Sequence, residues 1–203
     1  METVQSMIDT IIQLILFSLI PLLWWLFKGR KQTNLLEYLG LKKPSIKNTR
    51  GFIGVLIIDF VIILIQLFGV IPLFIDEADM STSAFTNRGL SVLFPVLIYA
   101  FVQTGLAEEI FFRGFLAKRL IHQFGLNIGN IIQAFLFGLI HGLIFFNYTS
   151  TFGVIVIIFL TGFNGWLMGL LNEKYSNGSI IPSWLVHALS NLISSVFSMF
   201  GLM

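Results

Sequence analysis

Two adjacent carboxylates, Glu108 and Glu109, stand with Arg113 inside a run that is otherwise apolar and aromatic, Gly105-Leu106-Ala107-Glu108-Glu109-Ile110-Phe111-Phe112-Arg113-Gly114. On a helix, Glu109 and Arg113 are four residues apart, share a face and can pair. Glu108 is turned about 100° from Glu109, so the two carboxylates are free to do different jobs. Further along, Phe137 and His141 repeat the four-residue spacing in Phe137-Gly138-Leu139-Ile140-His141, and His187 and Asn191 repeat it in His187-Ala188-Leu189-Ser190-Asn191. A carboxylate held by a histidine can take a proton from water and make a nucleophile. A second histidine and an amide can donate hydrogen bonds to a developing oxyanion. An arginine beside the second carboxylate holds that group fixed and shapes the field on the first. These are the parts for hydrolysis without a Ser or Cys nucleophile. The same Glu108, His141 and His187, with a water, are also a ligand set suited to a divalent metal such as zinc. The His-Glu-x-x-His helix signature of many zinc hydrolases is absent.

The elements that must position these groups are membrane helices. The chain is 56% hydrophobic and 11% charged, where soluble domains carry about 25% charge. With no cysteine, disulfides, thiolate chemistry and Cys-based metal sites are excluded. A formal charge of +2 is too small to suggest a nucleic-acid partner. The amino-terminal Met1-Glu2-Thr3-Val4 lacks the basic stretch of a signal peptide, so the first apolar run is expected to stay as a span.

We expect an all-α, polytopic helical bundle of about six transmembrane helices. The spans fall at about residues 4–27, 51–74, 90–120, 128–146, 152–171 and 180–202. No repeat or soluble segment divides the chain, so residues 1–203 form a single membrane domain with its chemistry in a core at 90–195. Lys28, Arg30, Lys31, Lys42, Lys43, Lys47 and Arg50 crowd the first loop, and Lys118, Arg119 and Lys174 fall on the same side. The positive-inside rule makes that side cytoplasmic and puts both termini outside. The loop at 75–89 lies opposite and is acidic, with Asp76, Glu77 and Asp79.

The polar groups agree in depth. Glu108 and Glu109 lie about ten residues before Lys118-Arg119, roughly 15 Å at the helical rise. His187 and Asn191 lie 8 and 12 residues after Ser179 on the same side, and His141 is about 13 residues into the fourth span. One histidine alone reads as an interhelical hydrogen bond; six such groups in one layer read as a site, because charge at membrane depth is expensive and usually functional. Phe137 is placed to wall the imidazole of His141 off from lipid. Water is expected to reach Glu108 from the cytoplasmic side. Asp59, about eight residues into the second span, reads as a protonated or snorkelling side chain near a helix end, or as a partner for the polar layer. Asn164, beside Gly162 and Gly165 with Gly169 following, reads as a close helix contact.

The order Glu-Glu-x-x-x-Arg, Phe-x-x-x-His, His-x-x-x-Asn on successive spans resembles the CAAX protease and bacteriocin-processing family, also called the Abi family. Glu108, Glu109 and Arg113 match the first motif, Phe137 and His141 the second, His187 and Asn191 the third, over about residues 91–191. The resemblance implies an intramembrane endopeptidase of a membrane-associated peptide or protein. In it Glu108 activates water with His141, His187 and Asn191 form the oxyanion site, and Glu109 and Arg113 support them. It implies a metal-free glutamate mechanism with no cofactor, a metal-dependent one having been the family's earlier reading. It also implies a multi-pass protein of a bacterial cytoplasmic membrane, with roles in bacteriocin self-immunity or peptide maturation. The stretch before residue 91 holds only two spans, which leaves the substrate open. Two other readings use the same residues: an immunity protein that binds without hydrolysis, and a proton-coupled transporter.

Overall fold

The computed structural model describes residues 2–202, with side chains from Val4 onward. Among them every regular element is helical. α1 (Glu2–Trp24) turns most of its Ile and Leu side chains outward, as a helix in lipid does. α2 (Leu35–Leu39) is a short helix inside the basic loop. It starts where Glu37 N–H donates to the Asn34 side chain and stops at Gly40, whose φ of 81° needs a residue without Cβ. α3 (Thr49–Ile65) is capped by Asn48 in the same way and continues through wider π turns to Val70.

The third membrane helix carries the acidic pair. It comprises α4 (Leu93–Ile98), π turns over Tyr99–Leu106, α5 (Ala107–Glu109) and π turns over Ile110–Ala117, and it leads into α6 (Lys118–Ile144). Wide turns of this kind are rare and recur at functional sites. Gly125 interrupts α6 with φ 79° and ψ 166°. A Cβ added at Gly129 would lie 2.4 Å from the amide nitrogen of Ile121, although eight helical residues span about 12 Å along a straight axis. The chain therefore reverses at Gly125, and two expected spans, 90–120 and 128–146, lie on either side of the turn. α7 (Thr151–Leu170) starts at a Ser150 cap, and α8 (Ile181–Met199) starts with Pro182 in its first turn.

Four helical runs among the described residues are long and apolar enough to cross a membrane: Val4–Gly29, Thr49–Leu73, Gly89–Ile144 and Thr151–Tyr175. The third holds the two limbs joined at Gly125. α8 is not in that set. It spends its inward face on Ser183, His187, Ser194, Ser195 and Ser198, all buried, which lowers its hydropathy while the fold shields it.

α6 and α7 pack backbone against backbone. A Cβ at Gly138 would sit 2.2 Å from the Ile158 carbonyl oxygen and 2.8 Å from the Gly162 nitrogen. This is the small-residue contact expected around Asn164, whose amide also donates to Gln66 at 2.6 Å. Gly138→Ala is expected to destabilise the protein by about 1–3 kcal/mol in thermal unfolding in detergent, because backbone must move. Gly54→Ala, where a Cβ meets nothing within 4 Å, serves as the neutral comparison.

The bundle has two distinct ends. At one, the basic loop docks on the α7–α8 turn: Ile180 N–H donates to Gly40 O at 2.9 Å, and Lys118 Nζ donates to Glu173 and Gly178 O. At the other, the acidic loop meets the end of α8, where Asn87 N–H donates to Ser198 O and the Ser198 hydroxyl donates to Glu77.

Candidate functional site

Arg113 sits in the centre of the bundle at 1% exposure, with its Nη1 2.9 Å from Glu109 Oε1, the pairing the four-residue spacing required. Glu109 is fully buried, so its other lone pairs need partners too. The Ser183 hydroxyl donates to Oε2, and His187 Nδ1 lies 3.2 Å from Oε1. Asn172 then donates to Ser183 Oγ at 2.7 Å. Ser183 and Asn172 are residues that the sequence reading missed. Ser183 carried a readable signal, because it precedes His187 by four and so shares the face of His187 and Asn191.

Phe137 is a hub rather than a lipid shield. It is buried, the Arg113 guanidinium lies 4.0 Å from its ring centroid, Phe112 packs on it at 4.9 Å and the His141 ring at 4.3 Å. Gly165 allows this, since a Cβ there would stand 3.1 Å from Phe137 and 3.3 Å from Arg113.

Glu108 points the other way, as the turn of the helix required. Its Oε2 lies 3.7 Å from His141 Nε2 and 3.8 Å from His187 Nε2, and that oxygen is buried without a hydrogen-bond partner. These separations are too long for direct hydrogen bonds and leave room for a small group between them. Phe137 O can only accept, so His141 Nδ1, at 2.8 Å, carries a proton there, and in the neutral ring the Nε2 lone pair faces Glu108. Asn191 lines the same space; its amide donates to Thr104 Oγ1 at 2.7 Å, and Thr104 donates to Tyr99 O. Thr104 is a third neighbour of the site that the sequence reading did not place there.

Glu108, His141, His187 and Asn191 thus face one cavity of about 710 Å³, while Glu109 and Arg113 lie behind it. Among the described residues, no group of three or more His, Cys, Asp or Glu side chains is arranged to hold a metal ion.

The direction of the cavity corrects the sequence reading. Its lining runs from Glu108 past Tyr99 to Ser81, Asp79 and Arg88, with Gln5 and Asp9 from the start of α1 and Tyr148 after α6. All of these belong to the end that carries the acidic loop. Towards the basic end, where water access was expected, Arg113, Phe112, Phe137 and the Glu109–Ser183–Asn172 chain close the core. Depth along a helix is set by residue count, but the open side is set by which side chains fill the core.

Asp59 does not snorkel. It is 0% exposed, and neither of its oxygens has a hydrogen-bond partner. It lies one turn from both Val55 and Ile63, which share an apolar cluster with Met168, and Met168 Sδ takes a contact of 3.3 Å from Arg113 Nη2. Arg113 and Glu109 are the charged groups that act on it. A buried carboxylate without donors is costly. Asp59→Asn is therefore expected to hold or raise the unfolding temperature in detergent, and a clear fall would reveal a bonded partner.

A family model described as type II CAAX prenyl endopeptidase Rce1-like matches residues 90–193. No curated protein matches the chain, and no solved structure does. The match spans the third membrane helix, both limbs joined at Gly125, α7 and most of α8, and so takes in every group gathered around Glu108 and Glu109. The chain belongs to the Rce1-like family of type II CAAX prenyl endopeptidases.

Proposed function

We propose that this protein is an intramembrane endopeptidase that hydrolyses a peptide bond of a membrane-associated peptide or protein. The observation that carries the reading is the Glu108 carboxylate beside two imidazoles, at 3.7 and 3.8 Å, on the wall of a cavity that reaches one end of the bundle. A water between Glu108 and the Nε2 lone pair of His141 can donate to both. As its oxygen attacks the carbonyl carbon, its proton passes to Glu108. The carbonyl oxygen gains the negative charge. His187, with the Glu109 carboxylate at its Nδ1, can hold a proton on Nε2 and donate it as a hydrogen bond to that oxyanion. The Asn191 amide is a second donor in reach of the same cavity. When the C–N bond breaks, Glu108 returns its proton to the leaving amine. Arg113, Ser183 and Asn172 hold Glu109, and through it His187, in place.

The setting is a membrane: four apolar helices and the family of membrane proteases support it. We extend this to a six-span protein of a bacterial cytoplasmic membrane with both termini outside. With the basic loops cytoplasmic, the cavity opens on the outer side, which suits peptide maturation or bacteriocin self-immunity.

The reading is metal-free. The test is cleavage of membrane peptides by purified protein, beside Glu108→Gln, with and without chelator. Activity that survives chelation but is lost in Glu108→Gln supports the proposal. Loss on chelation with recovery on adding zinc would turn Glu108, His141 and His187 into metal ligands. Protection of cells from a bacteriocin that persists in Glu108→Gln, with no cleavage, would replace hydrolysis by binding.

A further inference from the structure

α1 is a lipid-facing helix with one polar stripe. Val4, Met7, Ile8, Ile11, Ile12, Ile15 and Leu16 are exposed, while Gln5, Asp9 and Gln13, one turn apart, all line the cavity. Gln5 donates to Asp9 at 2.8 Å, and Gln103 of the third helix bonds to Thr10 and Gln13. Polar groups in a membrane helix are retained where they meet water or a ligand, and this stripe meets the cavity. Facing it, Tyr99 donates to Ser81 at 2.8 Å and so fixes the acidic loop, with Asp79, at the mouth. The lining holds the carboxylates of Asp9, Asp79 and Glu108 against one arginine, Arg88, among the described residues. The cavity wall is therefore negative, and its amides and hydroxyls can bond to an extended backbone.

Given the endopeptidase reading of Glu108, on which this rests, we infer that the substrate is a cationic peptide segment that enters from the end opposite the basic loops, extended along α1, with basic side chains met first by Asp79 and then by Asp9. The register follows from the third helix. Gln103, which bonds to Thr10, the neighbour of Asp9, and to Gln13, precedes Glu108 by five residues, and Tyr99, which bonds to Ser81, two residues from Asp79, precedes it by nine. At no more than about 1.5 Å per residue these are at most about 8 and 14 Å. An extended chain advances about 3.3 Å per residue, so the basic side chains lie two to three and four to five residues from the scissile bond, on the side that leads out of the cavity.

The experiment uses Glu108→Gln protein in nanodiscs of zwitterionic lipid, so that binding is read without turnover. Three labelled peptides of equal length carry Lys, Gln or Glu at those two positions. The Lys peptide is expected to bind roughly five- to tenfold more tightly than the Gln peptide, with the Glu peptide weakest. That preference is expected to shrink in high salt and to fall away in Asp9→Asn/Asp79→Asn. Equal binding of the three peptides, or a preference that survives the double substitution, overturns the inference. Wild-type protein is then assayed on the same peptides. Cleavage without charge preference leaves the endopeptidase standing and sinks the cationic substrate. Lys-selective binding with no cleavage by wild type supports the negative cavity and counts against hydrolysis.

Discussion

Glu108→Gln is expected to slow peptide hydrolysis by about 10³-fold or more while leaving the folded protein intact. The amide keeps the size of the carboxylate but cannot accept the proton of water or return one to the leaving amine, and each transfer contributes about 10²–10⁴ in rate. Little structure hangs on this side chain, because its buried oxygen has no hydrogen-bond partner and faces the cavity rather than the core. The unfolding temperature should therefore stay near that of wild type. Single-turnover cleavage of a saturating membrane peptide checks the rate, and thermal unfolding of the same preparation checks the fold. A fall of less than tenfold would place the proton transfer elsewhere. His141→Phe, which keeps the ring and removes the acceptor facing Glu108, is expected to fall on the same branch of the measurement.

Arg113→Met is expected to act on stability, by about 3–5 kcal/mol, the cost of leaving one partner of a buried pair uncompensated. Glu109 is fully buried, and the guanidinium 2.9 Å away is the cation facing it. The remaining donors, Ser183 and His187, do not neutralise a charge in the bundle centre. Met matches the length of the apolar stem and can pack against Phe137 and Met168, so lost volume is a small part of the effect. The double substitution Glu109→Gln/Arg113→Met removes both charges and is expected to recover most of the loss. Unfolding midpoints of the two singles and the double form the cycle that reads the coupling. Additive single effects would mean that the pair is not what holds this centre. Hydrolysis should be impaired in all three, because His187 loses either the carboxylate at its Nδ1 or the cation that fixes that carboxylate.

Much of this was legible in the sequence because helical spacing is a local rule. Four-residue intervals placed Arg113 beside Glu109 and His187 with Asn191, and counting from the basic residues put the two histidines and the acidic pair in one layer, where the structure brings them to 3.7 and 3.8 Å. The Gly162–Gly165 face read as close packing, and Gly138 against Ile158 is that packing. The reversal at Gly125 lay between two apolar runs whose combined length, about 84 Å for 56 helical residues, no membrane core of about 30 Å accommodates.

Other features were decided only in three dimensions. That Asp59 is sealed beside the Arg113 layer depends on how α3 leans on Met168, which no spacing within α3 encodes. Ser183 and Asn172 became the partners of Glu109 because burial leaves every lone pair of that carboxylate to be satisfied by whatever helix arrives. The open side of the cavity followed from bulk: Phe112, Phe137 and Arg113 fill one half of the core, and the polar stripe of α1 stands off from the other. Composition, spacing and charge bias thus determined by themselves a helical membrane protein and the layer of its polar groups, because those follow from position along each helix, while its family was carried by the resemblance of the three motifs. Which groups touch, and from which end a substrate would reach Glu108, only the tertiary structure decided, because those depend on the space left between helices that are remote in the chain.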